Sequence, residues 1–497
     1  MEIPQEALKV ANPVHAWLRQ IEVTFVPGEA PVSSAIEEVA DGLLDKFKQL
    51  GHNVVDAPTD NTDVILTTAK YGEPIPWRKA FMFMARRQFG LKESPVIYTM
   101  IHMTEQEFKE KIDHFTAALA KQPLDPKDFE FEGLSPESPR VLMEQGMRGG
   151  PIMSLLRLLQ AQAKSIRVLL TVGDEHPERV YHFDLVGAFP ASVNSSADAF
   201  YTDIALRMVT TESTHEITNH QVLEPKVTAE DWQAMSTPEA MRRAGSELGK
   251  RNFFTEMVRI EDLVAVPAVN DSIASQYSEG CFGTWDPKVK GLVATITGSA
   301  RPVDKGNITD DDLALIVGVR PDGAGAQVRH VDGKRNDKPS SEAVEMMDLD
   351  GPLPWIEIQS GEVKAEVPVA RSKLHGHRGV KAFNPDLVEY VPLDPPYYHY
   401  LVSCATEAQA KGIKGAFSRS EILLNPSDPR KIAFTVLPGH GLVMIEKWED
   451  GKVPFQLFWD AMDSGDLEID PHVPQGKMSY EPGPDGRMHL KEEQVPM

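Results

Sequence analysis

The chain has 497 residues, 41% hydrophobic and 25% charged, which is enough for about two to four globular domains with sizeable cores. Its formal net charge of −23 argues against nucleic acid or an anionic membrane as a partner, because both require a basic face. Two cysteines, no signal-peptide pattern, and no apolar run near the roughly 18 residues of a membrane helix predict a reduced, cytoplasmic protein.

Strand-like and helix-like segments alternate over the first part of the chain. The predicted strands cover residues 21–26, 63–67 and 95–103, and the predicted helices cover residues 33–50, 77–89 and 105–119. Strands separated by helices favour a parallel sheet covered on both faces. No glycine-rich phosphate-binding motif follows any of these strands, so a dinucleotide or P-loop site has no support. The first α/β domain is predicted to span residues 1–135.

A second α/β domain is predicted over residues 136–300. A segment rich in Pro, Asp and Glu at residues 121–140 is interpreted as the connection to it. The expected elements are a helix at residues 152–166, strands at 168–173, 184–190, 204–211 and 258–269, and helices at 229–235 and 238–250.

The character of the sequence changes after residue 303. Short strand-like runs alternate with turns rich in Gly, Asp and Lys, which is typical of a mainly β domain. This C-terminal domain is predicted to span residues 301–497 and to end in a polar tail from residue 471.

Carboxylates mark the segment between the second and third predicted domains. Glu261 lies in the apolar run at residues 258–269, and Asp286 precedes a proline and a helix-like stretch at residues 288–296. Side chains at the ends of strands and the starts of helices often converge in α/β proteins. Structural roles are the alternatives: Glu261 can end a strand, and Asp286 can cap a helix that starts with proline. Asp271 is a competing second carboxylate.

The same segment resembles the substrate- and metal-binding region of the L-fucose isomerase / L-arabinose isomerase superfamily. Glu261 and Asp286 lie 25 positions apart, and residues 297–303 (TGSARPV) resemble the turn that leads into that superfamily's C-terminal domain. Trp285 stands where members often carry an acidic residue. The resemblance implies an α/β fold with two Rossmann-like α/β domains followed by a mainly β C-terminal domain, and a homo-oligomer, trimer or hexamer.

A third metal ligand is implied by the same resemblance. His399, within PPYYHYLVS, resembles the superfamily's ligand histidine, and a buried hydrogen-bonded imidazole is the alternative interpretation. Glu261, Asp286 and His399 would hold a divalent cation, most naturally Mn²⁺. The two carboxylates would also be the catalytic acid and base of an aldose–ketose isomerase, which acts on a sugar or sugar-like substrate through an enediolate.

Side chains near these motifs are the predicted contacts of the sugar. Trp285 and Tyr398 would stack on its apolar face, and Arg301 is the predicted polar contact. The departure at Trp285 keeps a second hypothesis open, a non-catalytic or repurposed protein of the same architecture that binds a carbohydrate or metabolite. An unrelated α/β subunit or scaffold is a third.

Other residues with chemical potential are given structural interpretations. His375, His377 and His440 have no fixed spacing to any motif and are interpreted as loop histidines. Cys281 is expected to be a small buried residue rather than a nucleophile, because no base is tied to it by the sequence.

Overall fold

The computed structural model describes residues 20–28, 32–59, 61–72, 96–130, 138–163, 167–183, 188–193, 196–213, 220–251, 253–254, 280–296, 305–321, 325–360, 363–393, 407–437, 440–470 and 478–492. The chain divides into two compact units. One comprises Met1–Ser213 with Val258–Ser275, and the other comprises Thr214–Met257 with Gln276–Pro496. Among the helices described, none is long and apolar enough to cross a membrane.

The first unit is built on a seven-stranded sheet. Its elements in chain order are β1 (Glu22–Val26), α1 (Ser34–Gln49), β2 (Asn53–Val54), β3 (Val64–Lys70), β4 (Val96–Met103), α2 (Glu105–Leu119), α3 (Ser138–Ala163), β5 (Val168–Val172), β6 (Arg179–Phe183), β7 (Ala188–Ser192) and α4 (Ala197–Ser213). The sheet order is β2-β1-β3-β4-β5-β6-β7; the first five strands are parallel, and β6 and β7 are antiparallel additions.

Local sequence signals account for the helices that were predicted best. The Ser33 hydroxyl accepts the backbone N–H of Ile36 and so caps α1, which ends before Gly51 at φ +86°. Thr104 and Glu107 form a reciprocal capping box at the start of α2. Both helices bury an apolar stripe against the sheet, as their 3.6-residue periodicity predicts.

Two features of the first unit differ from the sequence-based expectation. The predicted boundary at 135/136 falls inside the sheet, because β4 and β5 lie on either side of it and are hydrogen-bonded neighbours. Residues 204–211, predicted as a strand, belong to helix α4; the apolar run there packs on the sheet as a helical stripe. A short buried apolar run does not distinguish the two structures by periodicity.

The described residues of the second unit form three sheets. Its elements are β8 (Gln221–Val222), α5 (Ala229–Gln233), α6 (Thr237–Lys250), β9 (Cys281–Asp286), β10 (Gly291–Thr295), β11 (Leu313–Val319), β12 (Ala326–Arg329), α7 (Ser341–Asp348), β13 (Trp355–Ser360), β14 (Val363–Pro368), β15 (Ala370–Gly376), β16 (Gly379–Phe383), β17 (Val388–Tyr390), α8 (Glu407–Phe417), α9 (Glu421–Leu424), β18 (Ile432–Leu437), β19 (Gly441–Lys447), α10 (Gln456–Ser464), β20 (Leu467–Asp470), β21 (Met478–Pro482) and β22 (Met488–Glu492).

The largest sheet of this unit has nine strands in the order β17-β18-β19-β15-β9-β10-β11-β12-β8. Helix α7 packs on one face of its centre through Ala343 and Met346, which contact Cys281 and Ile316. The opposite face carries the larger core, which includes Phe282. The smaller sheets are the hairpin β13-β14 and the four-stranded sheet β20-β16-β22-β21.

The strands predicted at residues 313–319, 355–358 and 363–369 are confirmed, and the strand predicted at 400–403 lies outside the described residues. The predicted helix at residues 288–296 was wrong. Asp286 ends strand β9, a turn follows, and residues 291–295 return as strand β10. The predicted boundary at 300/301 falls inside the nine-stranded sheet, since β10 pairs with β11 across it. The structure therefore confirms a mixed α/β fold, with a β-rich C-terminal part.

Candidate metal centre

Four side chains converge in the second unit to form a cluster of possible metal ligands. One ligand atom from each of Glu342, His375, His377 and His440 lies within 4.8 Å of every other. Glu342, His375 and His440 are buried, and His377 is partly exposed. One carboxylate and three imidazoles in this arrangement could hold a divalent metal ion.

Strand β15 supplies two of the imidazoles. His375 lies near its end, and His377 follows two residues later, just beyond the strand; the ligand atoms of both reach the cluster. Within the sheet, His375 pairs directly with Cys281 on β9 and with Val443 on β19. Because cross-strand neighbours share a face, the imidazole lies on the same side as the Cys281 thiol, beneath helix α7.

Helix α7 and the β18–β19 connection supply the other two ligands. Glu342 lies in the first turn of α7, on the side that packs against the sheet. His440 immediately precedes β19, and its backbone N–H donates to the carbonyl oxygen of Leu437 at the end of β18, at 3.0 Å. Three segments distant in the sequence therefore meet at the end of β15.

Two distances within the cluster match the spacing of ligands around one ion. Oε1 of Glu342 lies 3.1 Å from Nε2 of His375 and 3.1 Å from Nε2 of His440. Metal–nitrogen bonds of about 2.0–2.1 Å place adjacent ligand atoms of a tetrahedral site about 3.3 Å apart. The imidazole rings themselves pack edge to face, with the His375 and His440 centroids 4.7 Å apart.

A hydrogen bond to the backbone fixes the orientation of the His375 ring. Nδ1 lies 3.0 Å from the carbonyl oxygen of Leu442, which can only accept, so Nδ1 carries the hydrogen and donates it. In the neutral ring, Nε2 then presents its lone pair to the cluster. This is the outer-shell arrangement that commonly orients a metal-binding histidine.

The charge state of Glu342 suits a ligand. Burial alone would raise the pKa of its carboxyl, but the neighbouring His375 and His440, through charge and hydrogen bonding, hold that pKa well below its usual range. The carboxylate form therefore prevails at neutral pH, in a place from which bulk water is largely excluded.

A second carboxyl, Glu345, lies one turn farther along α7. It is 3% exposed, and its Oε2 accepts a hydrogen bond of 3.0 Å from the amide of Gln409 on α8. Burial and the negative charge of Glu342 raise the pKa of Glu345 well above its usual range, although the hydrogen bond from Gln409 opposes the shift. The protonated form of Glu345 is therefore favoured more than it would be in a solvent-exposed glutamate.

The structure gives the sequence-predicted residues different surroundings. Asp286 is buried; its Oδ1 accepts the backbone N–H of Lys288 at 2.8 Å and that of Val289 at 3.1 Å, and its Oδ2 accepts the hydroxyl of Thr237 at 2.5 Å. It therefore stabilises the β9–β10 turn, and it is not a member of the four-residue cluster. Helix capping, the alternative role, does not apply either, because no helix follows.

Trp285 is buried, at 4% exposure, and packs edge to face on Trp355 with ring centroids 5.3 Å apart. The other predicted site residues lie outside the described part of the chain; they are Glu261, Asp271, Arg301, Tyr398 and His399. Their proposed roles stay predictions.

The interpretation of His375 as a loop histidine was wrong, because it lies on β15, whereas His377 and His440 do lie in connections between strands. All three lie on or next to a strand, and their ligand atoms gather around one carboxylate. The signal available in the sequence was the His-x-His pair, whose spacing places two imidazoles on one face of any extended segment. Cys281 is buried as expected, and burial, reinforced by the charge of Glu342, raises the pKa of its thiol well above the usual value.

Comparisons with known proteins add little to this description. No family model matches the chain, and no curated protein matches it. Among solved structures, an L-fuculose 1-phosphate aldolase is similar over 44% of this chain and 77% of its own, with 10% sequence identity and a TM-score of 0.23. A similarity this low carries no argument about fold or activity.

Proposed function

We propose that this protein is a divalent-metal-dependent enzyme that converts a sugar or sugar-like hydroxy-carbonyl compound through an enediolate. The observation that carries the proposal is the buried convergence of Glu342 with three imidazoles. Ketol isomerisation is the reaction expected from the sequence, and it now rests on a different set of residues. The homo-oligomer implied by the resemblance stays a prediction.

The ligand types bear on the choice of metal. The expectation of Mn²⁺ came from a site with two carboxylates and one histidine. Three imidazoles and one carboxylate suit a borderline ion such as Zn²⁺ better, because nitrogen-rich sites favour the later transition metals. A bound ion would supply the positive charge that polarises a substrate carbonyl and stabilises the enediolate.

The residues of the cluster have distinct roles in this proposal. The Leu442 carbonyl holds the His375 ring with Nε2 towards the cluster. The ring therefore needs little reorganisation when a metal ion binds. Glu342 is ionised and buried, which makes its carboxylate both a ligand and the available proton acceptor. The partial exposure of His377 marks the side of the cluster that a substrate can reach.

Carbon–carbon cleavage of the retro-aldol type is a second candidate, favoured by one observation. Isomerisation by paired carboxylates uses two carboxyl groups on either side of the reacting carbons, and Glu342 is the only carboxylate in the four-residue ligand set. Retro-aldol cleavage forms the same enediolate and requires one group to take the proton of a hydroxyl. Both reactions would use the same metal and base.

Metal analysis followed by a substrate screen tests the proposal. The purified protein, loaded with Zn²⁺, Mn²⁺ or Co²⁺ and then dialysed, is expected to retain about one ion per chain. Glu342→Gln and His375→Gln should lose the ion, whereas His489→Ala, a histidine paired with Asp485 outside the cluster, should retain it.

The loaded protein is then incubated with pentoses, hexoses, deoxy sugars and their phosphate esters, and both isomers and cleavage products are measured. Isomers support the first reaction, and shorter carbonyl compounds support the second. Metal binding with no turnover of any compound would leave the non-catalytic binding protein as the answer, and no metal binding would refute the proposal.

A further inference from the structure

A buried ion pair joins the end of helix α7 to strand β15. Nζ of Lys373 contacts Oδ1 of Asp350, and the two side chains are 0% and 5% exposed. Lys373 lies on β15 two residues before the ligand His375, and Asp350 follows α7, whose first turn carries the ligand Glu342. The pair therefore connects the two elements that bring Glu342 and His375 together.

Burial makes this pair a poor source of stability. Taking an ammonium and a carboxylate out of water carries a desolvation cost, which their attraction offsets only when the remaining polar atoms also find partners. That condition is not met here, because no described residue hydrogen-bonds Oδ2 of Asp350. Well-packed apolar side chains often stabilise such a place at least as well. Fixing the position of one element on another is a better-attested role for a buried polar pair.

Two contacts determine where α7 lies along β15. Near the start of the helix, Oε1 of Glu342 lies 3.1 Å from Nε2 of His375, and beyond its end Asp350 meets Lys373. Alternation along β15 puts Lys373 and His375 on the same face, about 7 Å apart, whereas the eight residues from Glu342 to Asp350 rise about 12 Å as a helix. The long side chain of Lys373 spans the difference. A shift of α7 along the strand would break one contact or the other.

The other contacts of α7 define its position on β15 less sharply. The helix has eight residues, and its apolar side chains pack on the sheet through contacts that have no directional preference. The side chains of Gln409 and Lys414 join it to helix α8, and not to the strand that carries His375. The Lys373–Asp350 contact is directional and ends on β15 itself.

We propose that Lys373 and Asp350 are positioning residues of the metal centre, and that their contact holds α7 on β15 so that the Glu342 carboxylate reaches the ion bound by the three histidines. This inference rests on the metal centre of the proposed function, and not on the reaction proposed for it. The pair acts through Glu342, because that is the ligand which α7 carries. Without the pair, the histidines keep their places and Glu342 moves away from them.

Two variants separate positioning from stability. Lys373→Met/Asp350→Leu replaces the pair by apolar side chains, so the metal-free fold should be as stable as the wild type or more so, although the directional contact is gone. Asp350→Asn keeps an oxygen that accepts a hydrogen bond from Lys373 but leaves the buried ammonium without its counter-charge. It should therefore be less stable than the wild type and still keep α7 in place.

The pair between Asp348 and Lys414 supplies the matched control. It has the same residue types, with Nζ and Oδ1 2.9 Å apart, but it joins α7 to α8, and its side chains are 32% and 37% exposed. Asp348→Leu/Lys414→Met therefore makes the same chemical change on the same helix without touching β15. Because exposed ion pairs contribute little, its zinc affinity should lie within about threefold of the wild type.

The experiment measures the zinc dissociation constant of each form by competition with a chromogenic chelator, and the urea midpoint of each metal-free form. Lys373→Met/Asp350→Leu should bind zinc at least roughly tenfold more weakly, as loss of outer-shell support commonly does, with an unchanged or higher midpoint. Asp350→Asn should bind zinc within about threefold of the wild type in spite of a lower midpoint.

Substitution of the ligand itself tests whether the pair acts through Glu342. Glu342→Gln should weaken zinc binding in the wild-type background. In the Lys373→Met/Asp350→Leu background the same substitution should weaken it by at least roughly threefold less, because the carboxylate is already displaced there and the two changes are not additive.

The outcomes separate the two proposals. A wild-type protein that takes up no zinc would overturn the proposed function, and this inference with it. Wild-type zinc affinity in Lys373→Met/Asp350→Leu, an equal loss in the control variant, or an additive loss with Glu342→Gln would overturn the positioning role alone. If Lys373→Met/Asp350→Leu does not fold, Asp350→Asn decides: zinc affinity that falls together with its stability would show that the pair is only structural.

Discussion

Nε2 of His375 and Oε1 of Glu342 lie 3.1 Å apart, and in a neutral His375 ring the tautomer that the Leu442 carbonyl selects leaves both atoms without a hydrogen. Two lone pairs at contact distance in a buried place repel each other. A second proton on the imidazole or a metal ion between the two atoms removes the repulsion. The geometry of this pair therefore fits a protonated His375 or a bound metal ion, and metal analysis distinguishes the two.

Metal removal should lower the stability of the second unit. A ligand that binds only the folded state stabilises it by about 4 kcal/mol at a free concentration near 1,000 times its dissociation constant. Calorimetry of the zinc-loaded protein before and after chelation should show a lower melting temperature without metal. Glu342→Gln should show little difference between the two conditions, and a wild-type protein that is indifferent to chelation would contradict the site.

Gly441, next to His440, should be required for metal binding because a side chain at this position would collide with the end of β15. Its φ is +150°, and a Cβ there would lie 2.1 Å from the carbonyl oxygen of Gly376, between His375 and His377. Gly441→Ala should therefore displace the end of β15 and weaken zinc binding at least roughly tenfold, as loss of outer-shell support commonly does.

Gly451 offers the matched control for that substitution. Its φ is +76°, but a Cβ there would have nothing within 4 Å. Gly451→Ala should cost about 1 kcal/mol of stability from backbone strain alone and should leave zinc affinity unchanged. Equal zinc affinity in Gly441→Ala and Gly451→Ala would show that the close approach to Gly376 does not hold the ligands.

The sequence predicted elements whose signals are local and missed those decided by tertiary contacts. Helices α1 and α2 lie close to their predicted bounds, and in the structure Ser33 and Thr104 cap them locally. Strand β10 was predicted as a helix because Asp-Pro before an apolar run is a typical helix start. Pairing with β9 and β11 decides instead for a strand.

The site lay beyond sequence reasoning for a related reason. Glu342, the His375–His377 pair and His440 come from segments that meet only when β15 pairs with β19 and α7 packs on the sheet. The spacing of His375 and His377 was visible, but nothing local connects that pair to a glutamate 33 positions earlier. The pairing of strands distant in the sequence, and not the composition of any one segment, brings the four residues together.

Asp286 should prove structural. Its carboxylate accepts two backbone N–H groups of the β9–β10 turn and the Thr237 hydroxyl, so Asp286→Ala leaves buried donors unpaired and should cost about 2–3 kcal/mol. Zinc content should not change. A variant of normal stability that no longer binds metal would restore the original prediction of Asp286 as a ligand.

Glu446 should make stability depend on pH. It is 1% exposed on β19, and it accepts the backbone N–H of Phe455 at 2.8 Å and that of Leu457 at 2.9 Å, at the start of helix α10. Burial raises the pKa of Glu446 from 4.5 to about 7, although these N–H donors and Arg371 oppose the shift. The folded chain therefore holds this proton more tightly than the unfolded chain does.

That proton contributes up to roughly 3 kcal/mol to the free energy of unfolding. The contribution is complete below about pH 4.5 and is lost as the pH rises through about 7. Glu446→Gln cannot ionise, so it should lack this part of the pH dependence. The free energy of unfolding is measured at pH 5 and pH 8 by urea unfolding, followed by tryptophan fluorescence. The metal is first removed by chelation, because protonation of the histidine ligands would otherwise release it and change the stability. If wild type and Glu446→Gln lose the same stability between the two pH values, the N–H donors outweigh burial and Glu446 is ionised throughout.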